Sequence, residues 1–329
     1  MKKLIMKLFI ILSLVSPATA QWGYGQWLET ATSEIWFDKP PQQYDADAVA
    51  YWTAFTTPAS DGFKTLINAF FVGIKADGVW VKLKAAWWIA NETQQAATIN
   101  LVNPATYTLV LVSSPTFTVN EGISGNGSSS YINTTYPPSD GSLNSFAFGV
   151  YSRTDNTPAY GVDMGVRESF QVNQTTLSIR NSSNTTDGSI NANTGIGSTH
   201  TSSLGFFVAS RVASDSTFIY RNGSLSYKGA SVSTSRYTTA MTIGAMRQGA
   251  STIAFHTGRQ YSFGFIAEGL TATDVSNLTT RVETIMDALG KGVIAMNDYA
   301  PMKLYTEKME TDYFPERVFE LYPQYKKAI

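Results

Sequence analysis

Between Ala86 and Ala267 the chain is a succession of short runs, apolar or alternating, each closed off by Gly, Asn, Ser or Pro. A dozen of these runs read as strands: 86–90, 98–101, 117–120, 145–153, 162–167, 176–180, 204–212, 217–221, 225–228, 239–246, 251–256 and 260–267. The sharpest local signal is Thr217–Arg221, then Asn222-Gly223, then Ser224–Tyr227, a two-residue type I′ hairpin, because Asn-Gly accepts positive φ at both central positions. Strands this short and numerous indicate a closed barrel or a two-sheet sandwich, antiparallel in either case. With no cysteine, neither disulfides nor thiolate metal sites can hold such a fold together. The 24 Lys and Arg against 25 Asp and Glu lack the basic excess that a phosphate backbone demands, so nucleic acid is not an expected partner.

Two helices flank the strands. Thr57 as N-cap with Pro58 at the first helical position opens one, and Phe63, Leu66, Ile67, Phe70, Phe71 and Ile74 recur on one face before Gly78. Thr271 opens the other, with Asp274 completing a capping-box variant and Leu270 against Val275 as a staple. Its apolar stripe is Val275, Leu278, Val282, Ile285, Met286 and Leu289, and Gly290 follows it. One apolar stripe each means that both helices cover something.

The ends differ from the middle. Lys2, Lys3 and Lys7, the apolar run Leu8–Val15 and Ala18-Thr19-Ala20 have the form of an export signal cleaved before Gln21; once it is removed no stable membrane span is expected. Residues 91–290 carry 22 charges in 200 positions, whereas 291–329 carry 12 in 39, which makes Gly290 a boundary. The expected organisation is a leader (1–20), an aromatic arm (21–56), a helical lead-in (57–85), the sandwich (86–290) and a tail (291–329). Trp22, Tyr24 and Trp27 in the arm, and Tyr313, Phe314, Phe319 and Tyr322 in the tail, are aromatic residues that such segments cannot bury alone. They are the expected partner-docking residues, for self-association or for other proteins.

Longer stretches have a familiar look. "LVNPATYTLVLVSSPTFTVNEGISGNGSSSYINTTYPP" (Leu101–Pro138), "FIYRNGSLSYKG" (Phe218–Gly229) and "FGFIAEGLTATDVSNL" (Phe263–Leu278) resemble the concanavalin A-like, laminin G-type sandwich domains of many bacteriophage virion and tail proteins. "DADAVAYW" and "INAFFVGIKADGVWVKLKAAWWIA" resemble the helical lead-in of those proteins. The resemblance covers about residues 45–290. It implies a mainly β, concanavalin A-like antiparallel β-sandwich, or jelly roll, with a helical lead-in, one C-terminal covering helix and an extended tail. It also implies a structural, decorating or adhesive component of a virion that is not an enzyme. The export signal favours an alternative, a secreted or cell-surface lectin-like protein that binds a glycan.

The side chains that chemistry would need are sparse. Glycosidases of the concanavalin A-like class set paired acids on one strand, because retaining hydrolysis needs two carboxylates flanking the scissile bond, and no such run occurs in the sandwich. Asp163 and Glu168, beside Arg167, are expected to form a solvated salt-bridge face. His200 and His256 have no nucleophile elbow to serve, and no zinc ligand set is present in the sequence. Calcium leaves little sequence trace, and Asp155, Asn156, Asp187 and Asn191 are loop residues of the right type that match no motif; calcium stays open there, and no other metal or cofactor is expected. Sugar rings stack on exposed aromatic faces, and with no tryptophan beyond Trp88 the candidate platforms are Tyr131, Tyr151, Tyr160 and Tyr237.

Overall fold

The computed structural model describes residues 43–295. The leader, the docking residues Trp22, Tyr24 and Trp27, and the tail residues Tyr313, Phe314, Phe319 and Tyr322 lie outside the described residues.

Two β-sheets face each other. The first runs in the order β13 (Ser224–Ala230), β12 (Ser216–Arg221), β11 (Gly205–Arg211), β6 (Phe146–Ser152), β17 (Gln260–Ala267), β4 (Gly122–Ser124) and β3 (Thr116–Thr118), and β1 (Leu83–Trp88) also pairs with β17. The second runs β10 (Ile196–Thr199), β9 (Thr185–Ala192), β8 (Gln174–Ser178), β7 (Met164–Arg167), β14 (Thr242–Ile243), β5 (Tyr131–Asn133) and β2 (Val110–Val112). A hairpin of β15 (Met246–Gln248) and β16 (Thr252–Ala254) branches from β7. Pairing is antiparallel throughout except for β15 on β7, where Gln248 faces Arg167. The fold is the expected antiparallel sandwich.

The central strands of the first sheet are buried on both faces. On β6, Phe146, Phe148 and Val150 point into the core between the sheets while Ala147 and Tyr151 point the other way. On β11, Phe207 and Ala209 face the second sheet, and Phe206 and Val208 face outward. This is the two-residue side-chain period of a strand, read as a continuous apolar run because neither face meets water. Helices α1 (Ala46–Thr53), α2 (Asp61–Ala76) and α3 (Ala272–Ala288) cover the outer face. Phe70 of α2 packs its ring 5.8 Å from Trp88 and 6.0 Å from Phe263, and Val275, Leu278 and Val282 of α3 join the same cluster. The two amphipathic stripes thus cover one surface, and the helical layer begins at Ala46 rather than at 57.

Local chemistry explains the element ends. The first long helix is capped by Ser60, whose Oγ accepts from the Phe63 N–H, and not by Thr57; Ser60 is itself fixed by the Glu92 carboxylate, leaving Thr57 and Pro58 ahead of the helix. At α3 the capping box forms as expected, with Thr271 Oγ1 accepting from Asp274 N–H and Asp274 Oδ2 accepting from Thr271 N–H at 2.7 Å. Lys82 adds an ion pair to that same carboxylate at 2.7 Å. The β12–β13 hairpin turns on Asn222 (φ 50°) and Gly223 (φ 81°), the conformations a type I′ turn requires.

Candidate functional site

Three loops meet where β7 and the β15–β16 hairpin end. Arg167 is the last residue of β7, and its strand partner Gln248 accepts from it twice at Oε1, from Nε at 3.1 Å and from Nη2 at 2.6 Å. The chain then turns through Ser169–Val172, with Gln171 in the left-handed region at φ 56°, and this turn holds Phe170 out from the sheet. On the other side, Phe255 follows β16 at φ 57°, a conformation that bulky L residues avoid, and is held there by the Val162 N–H donating to its carbonyl. The Arg167 guanidinium lies 5.4 Å from the ring of Phe170 and 5.4 Å from the ring of Phe255, while Tyr160, from the β6–β7 loop, packs 6.0 Å from Phe255. The side chains therefore form a ridge in the order Tyr160, Phe255, Arg167, Phe170. Tyr160 is 74% exposed and Phe170 69%.

The ridge stands on a buried polar knot. Arg259 Nη1 donates to both oxygens of Asp163, at 2.7 and 2.9 Å, and the Tyr261 hydroxyl donates to Asp163 Oδ1 at 2.7 Å. The Ile179 N–H satisfies Oδ2 at 2.8 Å, and Arg259 Nη2 donates to the carbonyls of Asn156 and Arg180. Asp163 and Arg259 have no exposure at all. The expectation of a solvated salt-bridge face is thus overturned: Asp163 points inward and meets a cation 96 residues along the chain, Glu168 instead accepts from Asn173, and Arg167 instead bonds Gln248. Burial alone would pull the Arg259 guanidinium down, yet the Asp163 carboxylate beside it holds it above its usual value. Because the knot ties the β6–β7 loop, the end of β8 and the start of β17 together, it fixes the ground under Tyr160 and Phe255.

The other expected residues fall in different places. Tyr131, on β5, is half-buried with its ring 6.3 Å from that of His256, the residue after Phe255, and makes no ring contact with the ridge itself. Tyr237 packs half-buried against the core between the sheets. Tyr151 offers no ring face to a sugar, because it is fully buried and its hydroxyl donates to Glu283 Oε2 at 2.5 Å while accepting from the Val293 N–H. Its position on β6 turns it toward the helical layer. Asp155 is occupied by Arg180 at 2.5 Å and by the Ser203 N–H. Burial works against its charge, but the Ser203 and Ser202 bonds and Arg180 hold its carboxyl below the usual range. The Asn156 carbonyl is taken by Arg259, and Asn191 is buried between Thr175 and the carbonyls of Ser142 and Leu143. Asp187 lies on β9 with its carboxyl raised by burial. Among the described residues no group of three His, Cys, Asp or Glu side chains is placed to hold a metal. The same residues contain no helix long and apolar enough to cross a membrane.

Phe170, Phe255 and Arg167 are the ridge residues that sequence reasoning did not select. A usable signal existed only for Phe170: "RESFQVN" places a phenylalanine among polar residues outside every expected strand, whereas Phe255 sits at the end of the expected strand 251–256.

No protein-family profile matches the sequence, and no curated protein matches it. Among solved structures, the binding domain of botulinum neurotoxin DC in complex with SialylT is similar over 61% of this chain and 52% of its own, with a TM-score of 0.44 and 11% identity. A Trypanosoma rangeli sialidase in complex with 2,3-difluorosialic acid is similar over 68% of this chain and 40% of its own, with a TM-score of 0.43 and 11% identity. The NanB sialidase from Streptococcus pneumoniae matches 41% of this chain and 24% of its own, at a TM-score of 0.34 and 14% identity. The chain spans about half the length of the first of these and less of the others. These likenesses are partial, so what the ridge does has to come from its own chemistry.

Proposed function

We propose that this chain is a non-enzymatic, lectin-like binding module and that the Tyr160–Phe255–Arg167–Phe170 ridge is its glycan-binding face. The observation that carries the reading is the pair of large aromatic rings left in water on one rim, Tyr160 and Phe170, with a guanidinium between them. Burying one such side chain would stabilise the fold by roughly 1.5–3 kcal/mol, so two outward rings give up stability that a binding surface recovers. A flat ring presents an apolar face to the C–H face of a pyranose, and guanidinium and amide groups beside it supply the directed hydrogen bonds. A binding role rather than a hydrolytic one is supported by Asp163, which is committed to Arg259, Tyr261 and Ile179 and holds no free oxygen toward the rim.

The carrier is proposed to be a bacteriophage particle, on the strength of the motifs in 101–138, 218–229 and 263–278, with the two chain ends as attachment arms. The export signal favours the alternative, a secreted or cell-surface protein. Capsid, portal or tail genes beside its gene would decide for the particle. The binding role is tested by presenting the intact protein to a panel of oligosaccharides alongside a Tyr160→Ala/Phe170→Ala variant. Binding that the double variant weakens about tenfold or more supports the reading; unchanged binding, or none to any glycan, removes it.

A further inference from the structure

The guanidinium in the middle of the ridge has no counter-ion among the described residues. Arg153, Arg180, Arg259 and Arg281 each have a carboxylate within 4.0 Å; Arg167 and Arg247, both at the β7–β15 junction, have none among the described residues. Arg211 and Arg236 also lack one among the described residues, but Arg236 Nη1 donates to the carbonyls of Ser139 and Gly141, and Arg211 is wholly buried and spends its donors on the carbonyls of Ile190, Ala213 and Ser231 and on the Thr217 and Ser231 hydroxyls, the pattern of a structural arginine. Arg167 differs. Both of its bonds go to one oxygen, Gln248 Oε1, and Nη1 has no hydrogen-bond partner among the described residues. Two aromatic rings flank it and remove water from its faces, and this desolvation lowers its hold on the proton. Glu168, the adjacent acid, lies beyond ion-pair distance and has its Oε2 engaged by Asn173 Nδ2 at 2.6 Å. Arg247 adds a second half-buried cation on β15, its Nε without a partner and its Nη1 only weakly placed on the Ala250 carbonyl at 3.4 Å.

A partly desolvated cation held in place without a neutralising partner is favourable only to an anion, and charge-assisted bonds to it are stronger than neutral ones. Aromatic rings on either side select an anion that carries a flat apolar surface next to its charge. We propose that the ridge recognises an acidic saccharide, with a carboxylate or sulfate group meeting Arg167 Nη1 and the adjoining sugar rings lying against Phe170 and against Tyr160 and Phe255. This rests on the reading of the ridge as a glycan-binding face and adds the chemical class of the ligand. Gln248 is then a positioning residue: by holding Nε and Nη2 from behind it leaves Nη1 as the outward donor.

The experiment titrates the full-length protein calorimetrically with oligogalacturonate, with its methyl ester, with a sulfated glycosaminoglycan oligosaccharide and with its desulfated form. The expected result is that at least one acidic probe binds tenfold or more tightly than its neutralised counterpart. That margin shrinks between low and high salt, and Arg167→Gln removes it, the acidic forms losing at least tenfold more affinity than the neutral ones. Arg167→Lys, which keeps the charge and loses the fork, lies between the two. Which acidic probe prevails distinguishes carboxylate from sulfate. If neutral and acidic forms bind equally and Arg167→Gln weakens both alike, the acidic class is wrong while the ridge stands as a glycan site. If none of the four probes binds, the acidic class is overturned, and the wider panel above then decides the ridge itself. Unchanged thermal melting of Arg167→Gln keeps a loss of binding attributable to the charge.

Discussion

Glu283 makes stability depend on pH in a direction that the structure fixes. It lies on α3 without exposure, accepting from the Tyr151 hydroxyl at Oε2 and from the Ile294 N–H at Oε1, at 2.5 and 2.9 Å. Burial pushes its carboxyl up to about 7 from an ordinary value of 4.5; those two bonds favour the ionised form but do not cancel the burial, and Asp287 reinforces it. The folded protein therefore keeps the proton that the unfolded chain gives up. Stability from this group is complete below pH 4.5, falls as pH rises toward 7, and is level above that. At 1.36 kcal/mol per pH unit the raised value corresponds to about 3 kcal/mol. Urea unfolding of the wild type and of Glu283→Gln, in roughly unit steps of pH, reads this directly. The glutamine cannot ionise, yet it keeps an acceptor for Ile294 and a donor. The difference between the two stabilities should move by about 3 kcal/mol in favour of the variant across that window and stay constant above it. Parallel profiles would show that Glu283 is not the protonated, buried acid described.

Three further outcomes follow from individual contacts. Asp163→Asn leaves the Arg259 charge buried without its counter-charge, and thermal or urea unfolding should show a loss of about 3–5 kcal/mol. Phe255→Gly should be about 1 kcal/mol more stable than Phe255→Ala, since glycine adopts the φ of 57° without strain and alanine does not, whereas both should lose ligand binding equally. Asn222→Ala should cost about 1–2 kcal/mol, because the alanine resists the turn conformation and the Phe206 N–H loses its acceptor Asn222 Oδ1, and Asn222→Gly should recover the turn but not the bond.

What the sequence displayed, it displayed where the signal was local. The Asn222-Gly223 hairpin and the Thr271/Asp274 box depend on neighbours three residues apart or fewer, and the long strands β6, β11 and β17 are apolar runs whose ends shift by no more than a residue. Polar strands are another matter. β9, "TTDGSINA", was not among the expected strands because its residues are poor strand signals, yet it is mostly buried: Thr186 donates to the Ile179 carbonyl, and Asn191 exchanges bonds with Thr175 across the ladder. The run 98–101 became a helical turn followed by a single bridge from Asn100 to Trp87, since Asn100 Oδ1 accepts from Ala86 and Val102 and bends the chain there. The run 239–246 is cut by Gly244, at φ 80°. β2, β4 and β5 are three residues each, too short for any period to show. The site was hidden for a related reason. Asp163 pairs with Arg259, and Arg167 with Gln248, over separations at which no spacing rule operates. Of the four tyrosines, only their setting distinguishes Tyr160, in water, from Tyr151, in the core.

The claim on which the function turns is that ligand settles on one rim. Hydrogen–deuterium exchange of the full chain, with and without the tightest-binding oligosaccharide, tests it most directly. Slowed exchange should be confined to 160–172 and 249–257, with 129–133 following through Tyr131 and His256. Protection elsewhere, such as along the exposed β13 edge with Leu225 and Tyr227, would contradict the assignment of the ridge as the binding face.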